Sequence, residues 1–339
     1  MGCLQKRLLK IYNHEQKTSK TTYPKMNMNF TDWKEYVQNM RTSMSSVKSL
    51  SFDKLLLLPS VVYITVIIGV PALFLAYLTV TQDVFSLFLD TRFVGLENII
   101  SVLTSGDFWL FTGNTLLYTA GVIGIGIPIQ LGIAIALNTD LPYRRVWQTL
   151  LLIPWTIPFV ISTVMWKLMF IPEFGVINHL LIEVGLIEQQ IQWFSGTGTA
   201  YFTAIITTIW IMTPLGTTIL LAGLESIPDN LYEASYIDGA GLWNQFRHVT
   251  LPLLRPALTA VLVIESMLAL RGFEIIYTMT RGGPGRSTTV VAIDIYRQMI
   301  RNGNAHYAAA EGLILVVLIL IVLGIIVKGL SSDTELEVE

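Results

Sequence analysis

The sequence predicts an all-α membrane protein with six transmembrane helices. Hydrophobic residues make up 53% of the chain and charged residues only 14%, and the mean hydropathy is +0.59. Soluble domains carry about 25% charged residues. Here the charges are missing from blocks that reach the roughly 20 residues a helix needs to cross a bilayer. Composition therefore favours a multi-pass protein of the plasma or inner membrane.

Six apolar segments carry this prediction. Proline and glycine inside several of them are compatible with membrane helices, because neighbouring helices satisfy the freed backbone groups. Gly121, Gly124, Gly126 and Gly132 are expected to allow close helix approach. The predicted spans are residues 55–78, 110–137, 149–171, 200–223, 257–279 and 309–329.

Three regions are expected along the chain. Residues 1–52 are polar and lack periodicity, which predicts a disordered cytoplasmic tail. Residues 53–330 form the six-helix membrane domain. Residues 331–339 form a short acidic tail.

The arrangement of lysine and arginine predicts that both termini are cytoplasmic. Positive residues concentrate in cytoplasmic loops, and four such sites fall on one side of a six-span chain. These sites contain Lys48, Lys54, Arg144, Arg145, Arg247, Arg255 and Lys328. The loop before the last span departs from the rule, since its four arginines are offset only by Asp294. The four are Arg281, Arg286, Arg297 and Arg301.

A polar loop separates the fourth and fifth predicted spans. Pro228 and Asp229 favour a helix start, and Gly239 favours a sharp stop because glycine readily adopts positive φ. A second short helix is expected from Leu242 to Val249, and Pro252 is expected to begin the next span. Lipid cannot satisfy such polar side chains, so the loop should form a helix–Gly–helix hairpin at the membrane surface.

This loop resembles the EAA loop of ABC importer permeases, whose pattern is E-A-A, three residues, G, nine residues and I-x-L-P. The residues in register, with Ser235 replacing the second alanine and Val249 the isoleucine, are Glu233, Ala234, Ser235, Gly239, Val249, Leu251 and Pro252. Three further stretches, 93–98, 114–118 and 174–178, and the loop 280–289 resemble the carbohydrate and glycerol-phosphate subgroup. The resemblance covers roughly residues 53–330.

The resemblance implies a type I ABC importer permease and the rest of its complex. Expected partners are a second homologous permease, two ATP-binding subunits, an extracytoplasmic solute-binding protein, a sugar-type substrate and membrane lipid, without nucleic acid. ATP and Mg²⁺ would be bound by the ATPase partner, and no cofactor by this chain. The residues implied in ATPase coupling are Glu233, Ala234, Ser235, Asp238, Gly239, Ala240, Leu251 and Pro252.

Polar and aromatic residues within the predicted spans are candidates for the substrate pathway, because ionisable groups are costly in lipid. Arg271 and Glu274, three residues apart, are expected to pair on one helix face. The alternatives are helix-stabilising ion pairs and aromatic belts at the membrane interface. The pathway candidates are Glu265, Arg271, Glu274, Trp210 and Tyr277.

The sequence lacks the motifs of several enzyme classes. It contains no Walker motif, no Ser-His-Asp or paired-carboxylate site, and four histidines that do not cluster, so neither catalysis nor a metal site is expected. Net charge is −2, and the only cysteine is Cys3. Three alternatives remain: an ion-coupled secondary transporter, an intramembrane enzyme, and an ABC importer for a non-carbohydrate solute.

Overall fold

The computed structural model describes residues 56–83 and 91–331. The chain divides into two compact units, residues 1–70 and 71–339, and only residues 56–70 of the first are described. Residues 1–52 and the tail beyond Ser331 lie outside the described residues. The three-region division therefore stays a prediction.

The described residues are mainly helical, with one short β-ribbon. In chain order the elements are α1 Leu56–Val80, β1 Thr81–Asp83, β2 Thr91–Phe93, α2 Glu97–Thr104, α3 Gly106–Leu137, α4 Arg144–Leu151, α5 Ile153–Thr156, α6 Phe159–Met169, α7 Val176–Glu183, α8 Thr197–Glu225, α9 Asp229–Ile237, α10 Leu242–Leu270, α11 Glu274–Thr280, α12 Val291–Tyr296 and α13 Ala305–Ser331.

Five helices, α1, α3, α8, α10 and α13, are long and apolar enough to span a membrane. The segment from α4 to α6 qualifies as a sixth span when its two parts, which meet at 94°, are counted together. This finding confirms the six-span architecture but corrects the continuous helix predicted over 149–171. Pro158 explains the bend, because a proline disfavours helical geometry at the preceding residue, and Ile157 is extended at φ −90° and ψ 131°.

The prediction for the fifth span was wrong at both ends. Helix α10 runs without interruption from Leu242 to Leu270, so the short helix expected at 242–249 is the start of the span itself. A π-helical segment, Phe246–Thr250, lies just before Pro252. Such wider turns accompany breaks in the regular hydrogen-bond ladder. At the other end the helix stops at Leu270, well before the predicted residue 279.

The described residues also contain one short β-ribbon, which the sequence did not predict. Strands β1 and β2 are antiparallel, with Thr81 opposite Phe93. The Asn98 amide, on α2, donates hydrogen bonds to the carbonyls of Thr79 at 3.0 Å and Thr81 at 2.8 Å, which fixes the ribbon on the end of α1. Strands of three residues are too short to give a period-two pattern.

The core is formed by α3, α8 and α10, which pack against one another. Two of the four glycines predicted to allow close approach do so: a Cβ on Gly121 would lie 2.6 Å from Ile205 Cδ1, and one on Gly126 would lie 3.3 Å from Ile209. Gly124 and Gly132 face open space. The central buried cluster consists of Ile127, Ala134, Leu137, Leu220, Leu221, Leu224, Ile227, Leu254, Leu258 and Val261.

Candidate functional site

A hairpin joins α8 to α10 at one end of this core. Pro228 is the N-cap of α9, which runs from Asp229 to Ile237, and α10 begins three residues after Gly239. The helix–Gly–helix arrangement predicted from the sequence is therefore present. Its second helix is the first part of a span, so the hairpin is continuous with a membrane helix.

Gly239 reverses the chain between the two helices. Its φ is +79°, a conformation that costs other residues energy because of their Cβ. The Ala240 N–H donates to the Ser235 carbonyl at 2.9 Å, and the Gly239 N–H donates to the Tyr236 carbonyl at 3.0 Å. These two bonds form the Schellman motif that ends helices at glycine. A Cβ on Gly239 would meet no heavy atom within 4 Å, so the requirement for glycine here is conformational rather than steric.

Polar contacts lie at the base of the hairpin. The Tyr232 hydroxyl, on α9, is 3.0 Å from the Thr250 hydroxyl, on α10. Arg144, at the start of α4, forms a salt bridge with Glu225, the last residue of α8. A groove of about 540 Å³ lies between α9 and the core, and Glu233 is among its lining residues.

Large apolar side chains form the exposed tip of the hairpin. Among them, Tyr236 is 77% exposed and Leu242 87% exposed. Four neighbouring apolar side chains at one loop are unusual on a surface without a partner. We define the hairpin tip as Tyr236, Ile237, Leu242 and Trp243.

The eight predicted coupling residues fall into two groups. Six lie on α9 and its reversal: Glu233, Ala234, Asp238 and Gly239 are exposed, whereas Ser235 and Ala240 are half-buried. Leu251 and Pro252 are half-buried on α10, where Leu251 packs against the core. The role of these eight residues in coupling stays a prediction.

Glu265 lies inside the helical core, on α10, and is 1% exposed. It accepts a 2.7 Å hydrogen bond from the Gln130 amide, on α3. Gly216, on α8, packs directly against this hydrogen-bonded pair. A Cβ on Gly216 would lie 2.0 Å from Gln130 Oε1 and 2.7 Å from Glu265 Oε1. The sequence analysis missed Gln130 and Gly216. The signal available for Gln130 was a lone amide side chain within an apolar span.

Trp210 lies elsewhere, against Trp166 of α6, with ring centroids 5.8 Å apart. Both rings line a cavity of about 310 Å³ beside the bend between α5 and α6, and its other lining residues are almost all apolar. Close by, the Lys167 ammonium, on α6, donates a 2.7 Å hydrogen bond to the Thr278 carbonyl, on α11, and this bond fixes the position of the lysine side chain.

The remaining pathway candidates lie at the end of α10 opposite the hairpin. Arg271 caps α10, and Glu274 begins α11, so the two do not share a helix face as predicted. Both are exposed, and no salt bridge joins them within the described part of the chain. Tyr277 stacks on Phe273 with a centroid distance of 4.9 Å.

The structure therefore separates the five pathway candidates into three places. Glu265 is in the core, Trp210 lines the apolar cavity, and Arg271, Glu274 and Tyr277 lie at the far end of α10. Across residues 56–83 and 91–331, no three His, Cys, Asp or Glu side chains are close enough to hold a metal ion.

Comparison with known protein families identifies the family of this chain. The family described as "Binding-protein-dependent transport system inner membrane component" matches residues 126–334, which include the hairpin, Glu265 and the last three spans. The chain belongs to this family. It is a multi-pass membrane component of a transport system and not an enzyme. The membership disfavours the secondary transporter and the intramembrane enzyme considered from the sequence.

Two relatives match most of this permease. The trehalose/maltose transport system permease protein MalF of Thermococcus litoralis is 35% identical over 257 residues, which are 76% of this chain and 86% of the relative. The sulfoquinovosyl glycerol transport system permease protein SmoG of Agrobacterium fabrum is 34% identical over 263 residues, 77% of this chain and 84% of the relative.

One solved structure supports the fold. It is a bacterial ABC transporter involved in the import of the acidic polysaccharide alginate, with a TM-score of 0.72. The match covers 86% of this permease and 99% of that chain, at 23% identity. At this identity the likeness concerns the fold alone.

Proposed function

We propose that this permease is the membrane-spanning subunit of an ATP-driven importer, and that its hairpin docks on the ATP-hydrolysing partner. The observation that carries the proposal is the hairpin tip: four exposed apolar side chains held on a rigid reversal that continues directly into α10. A surface of this kind suits burial against another protein. The hairpin end of the helices, and with it both termini, would then face the cytoplasm.

The complete transporter would contain further subunits. A second homologous permease, two ATP-binding subunits that hold ATP and Mg²⁺, and an extracytoplasmic solute-binding protein complete it. The family description supports the solute-binding partner, since it names binding-protein-dependent transport.

The solute is proposed to be a carbohydrate or a related polyol derivative. Both relatives described above are named for sugars or sugar-like solutes, and each matches about three quarters of this chain. A non-carbohydrate solute is the competing assignment. Direct binding of candidate solutes to the solute-binding protein encoded with this permease would distinguish the two.

Gly239→Asp tests the coupling role, with Gly241→Asp as its matched control. Gly241 is also surrounded by open space, but its φ is −72° and it is the N-cap of α10, where aspartate is favourable. The two variants add the same charged side chain two residues apart, yet only the first forces a residue with a Cβ into the left-handed region. That conformation costs L-residues about 1–2 kcal/mol, with aspartate at the low end of this range, and each 1.4 kcal/mol of lost docking changes an equilibrium about tenfold.

We expect Gly239→Asp to insert normally in the membrane but to lose uptake by about tenfold or more, with less ATPase retained on purification. Gly241→Asp should keep both. Membrane level, retained ATPase and uptake are measured for each variant. Normal uptake in Gly239→Asp, or an equal loss in both variants, would remove the main support for the hairpin as the coupling element.

A further inference from the structure

Residues 271–301, at the end of α10 opposite the hairpin, are rich in arginine. Short extracytoplasmic loops are normally poor in lysine and arginine. If the hairpin faces the cytoplasm, this segment faces outward and departs from that rule. Its acidic residues are Glu274 and Asp294, and its basic residues are Arg271, Arg281, Arg286, Arg297 and Arg301.

Two of these arginines have structural partners. Arg286 forms a salt bridge with Asp107, on the first turn of α3. The Arg297 guanidinium donates to the Arg281 carbonyl at 2.7 Å and to the Thr289 hydroxyl at 3.3 Å. These contacts account for both arginines: Arg297 holds the loop, whereas the Arg286–Asp107 pair is exposed and contributes little to stability.

Arg281 and Arg301 have no such carboxylate partner. Both are exposed, and among the described residues neither forms a salt bridge. Arg301 donates a 3.3 Å hydrogen bond to the Tyr277 hydroxyl. The pKa of that hydroxyl is lowered by a hydrogen bond with Tyr296, and also by Arg301 and the charge of Arg281. The charges of both guanidinium groups therefore act on this hydroxyl.

The two acids of this segment do not pair with these arginines. Among the described residues, neither Glu274 nor Asp294 forms a salt bridge with Arg281 or Arg301. Holding like charges close together without a counter-charge is unfavourable unless an anion neutralises them.

Three aromatic rings cluster at Tyr277, the residue that Arg301 hydrogen-bonds. Phe273 and Tyr277 are stacked, and Tyr296 packs on both, with centroid distances of 5.2 Å to Tyr277 and 5.3 Å to Phe273. All three rings are half-buried. Small-molecule sites typically combine such aromatic walls with a few polar groups that fix orientation.

We propose that Arg281 and Arg301, with the Phe273–Tyr277–Tyr296 ring cluster, form an entry site for a solute bearing a carboxylate, sulfonate or phosphate group. The planar guanidinium presents paired donors that match the oxygens of these groups. The rings would contact the carbon skeleton of the sugar or polyol that carries the anion. The inference rests on the proposed function, because it places this end of the permease on the outer side, and it narrows the solute to an anionic one.

The test is equilibrium binding to the full-length permease, purified with its co-purifying partners in neutral detergent and without nucleotide. The probes are sn-glycerol 3-phosphate, sulfoquinovosyl glycerol and a trigalacturonate, with trehalose as the neutral reference. At least one anionic probe should bind more tightly than trehalose. Arg281→Gln and Arg301→Gln should each weaken that binding about tenfold, equivalent to about 1.4 kcal/mol.

Arg286→Gln is the matched control, since it removes the same charge from the same loop but from a side chain paired with Asp107. It should change the dissociation constant less than about twofold, a few tenths of a kcal/mol. Affinity for the anion should also fall as salt rises from about 0.05 to 0.5 M, because screening shortens the reach of exposed charges.

Four results would overturn the proposal. Three concern the probes and variants: failure of all three anions to bind, unchanged binding in the Arg281 and Arg301 variants, and an equal loss in the Arg286 variant. The fourth is binding of phosphatidylglycerol, but of no solute probe, by the permease in lipid nanodiscs, which would assign the cations to a lipid headgroup. Binding is measured without ATP or transport. A failure of the hairpin to couple would therefore show in the Gly239→Asp uptake assay and leave this result unchanged.

Discussion

Gly216→Ala probes the contact at which α3, α8 and α10 meet. The added methyl group would lie 2.0 Å from Gln130 Oε1, 2.5 Å from Gln130 Cδ and 2.7 Å from Glu265 Oε1. Real Cβ contacts are not this short, so the Gln130 amide must move. Gln130 is 0% exposed and therefore has no solvent to move into. Its hydrogen bond to Glu265 is expected to break.

The cost follows from the groups that lose partners. A buried polar group left without a hydrogen bond costs about 1–3 kcal/mol, and more if it is charged. Glu265 Oε2 already has no partner among the described residues, so its carboxyl would lose its one hydrogen bond. Alanine recovers up to about 1 kcal/mol of helix propensity over glycine. We expect a net destabilisation of about 1–2 kcal/mol.

Thermal unfolding of the purified permease in one detergent measures this effect, with two comparisons. Gly124→Ala makes the same chemical change in α3 where a Cβ meets nothing within 4 Å, and it should be neutral or stabilising. In a Gln130→Ala background the methyl group has room, so Gly216→Ala should cost clearly less. A Gly216→Ala variant as stable as Gly124→Ala, or an equal loss in both backgrounds, would refute the steric argument.

Two further predictions concern charged residues outside the membrane spans. Burial raises the pKa of the Asp294 carboxyl, against the opposing effect of a hydrogen bond from Gln298. Because a raised folded-state pKa gives stability that is lost as pH rises, Asp294→Asn should become more stable relative to wild type as the pH rises above about 4, measured as the difference in Tm. Arg271→Ala and Glu274→Ala should be additive in the free energy of unfolding to within about 0.5 kcal/mol, because no salt bridge joins them among the described residues; a larger coupling energy would show that they interact.

Local signals predicted the features that depend on local chemistry. Gly239 was predicted as the reversal because few residues adopt positive φ cheaply, and its φ of +79° agrees. The spans were predicted because length and apolarity alone determine whether a helix can cross a bilayer. The hairpin was similarly visible, since a polar loop between two apolar segments must leave the lipid.

Features that depend on contacts between distant segments were missed. The apolar run through Ile275 and Ile276 looks continuous with α10, yet the helix ends at Leu270. Gly272, just after the break, packs closely on α3, where a Cβ would lie 2.8 Å from Tyr118 Cε1, and this neighbour is distant in sequence. The contact of Gln130 with Glu265 joins residues 135 positions apart, and nothing in either local pattern indicates the other. The cluster of Arg301, Tyr277 and Tyr296 likewise arises only when α11 and α12 pack.

The continuity of α10 has a mechanical consequence. Glu265, at which α10 is hydrogen-bonded to α3, divides α10 into two parts of unequal length. About 35 Å of helix lies between Leu242 and Glu265 and about 8 Å between Glu265 and Leu270, at 1.5 Å per residue. A rotation about Glu265 would make α10 a lever with a long arm at the hairpin and a short arm at the opposite end. A large displacement of the hairpin would then become a movement roughly four times smaller, delivered with correspondingly greater force, beside the arginines and aromatic rings at the far end.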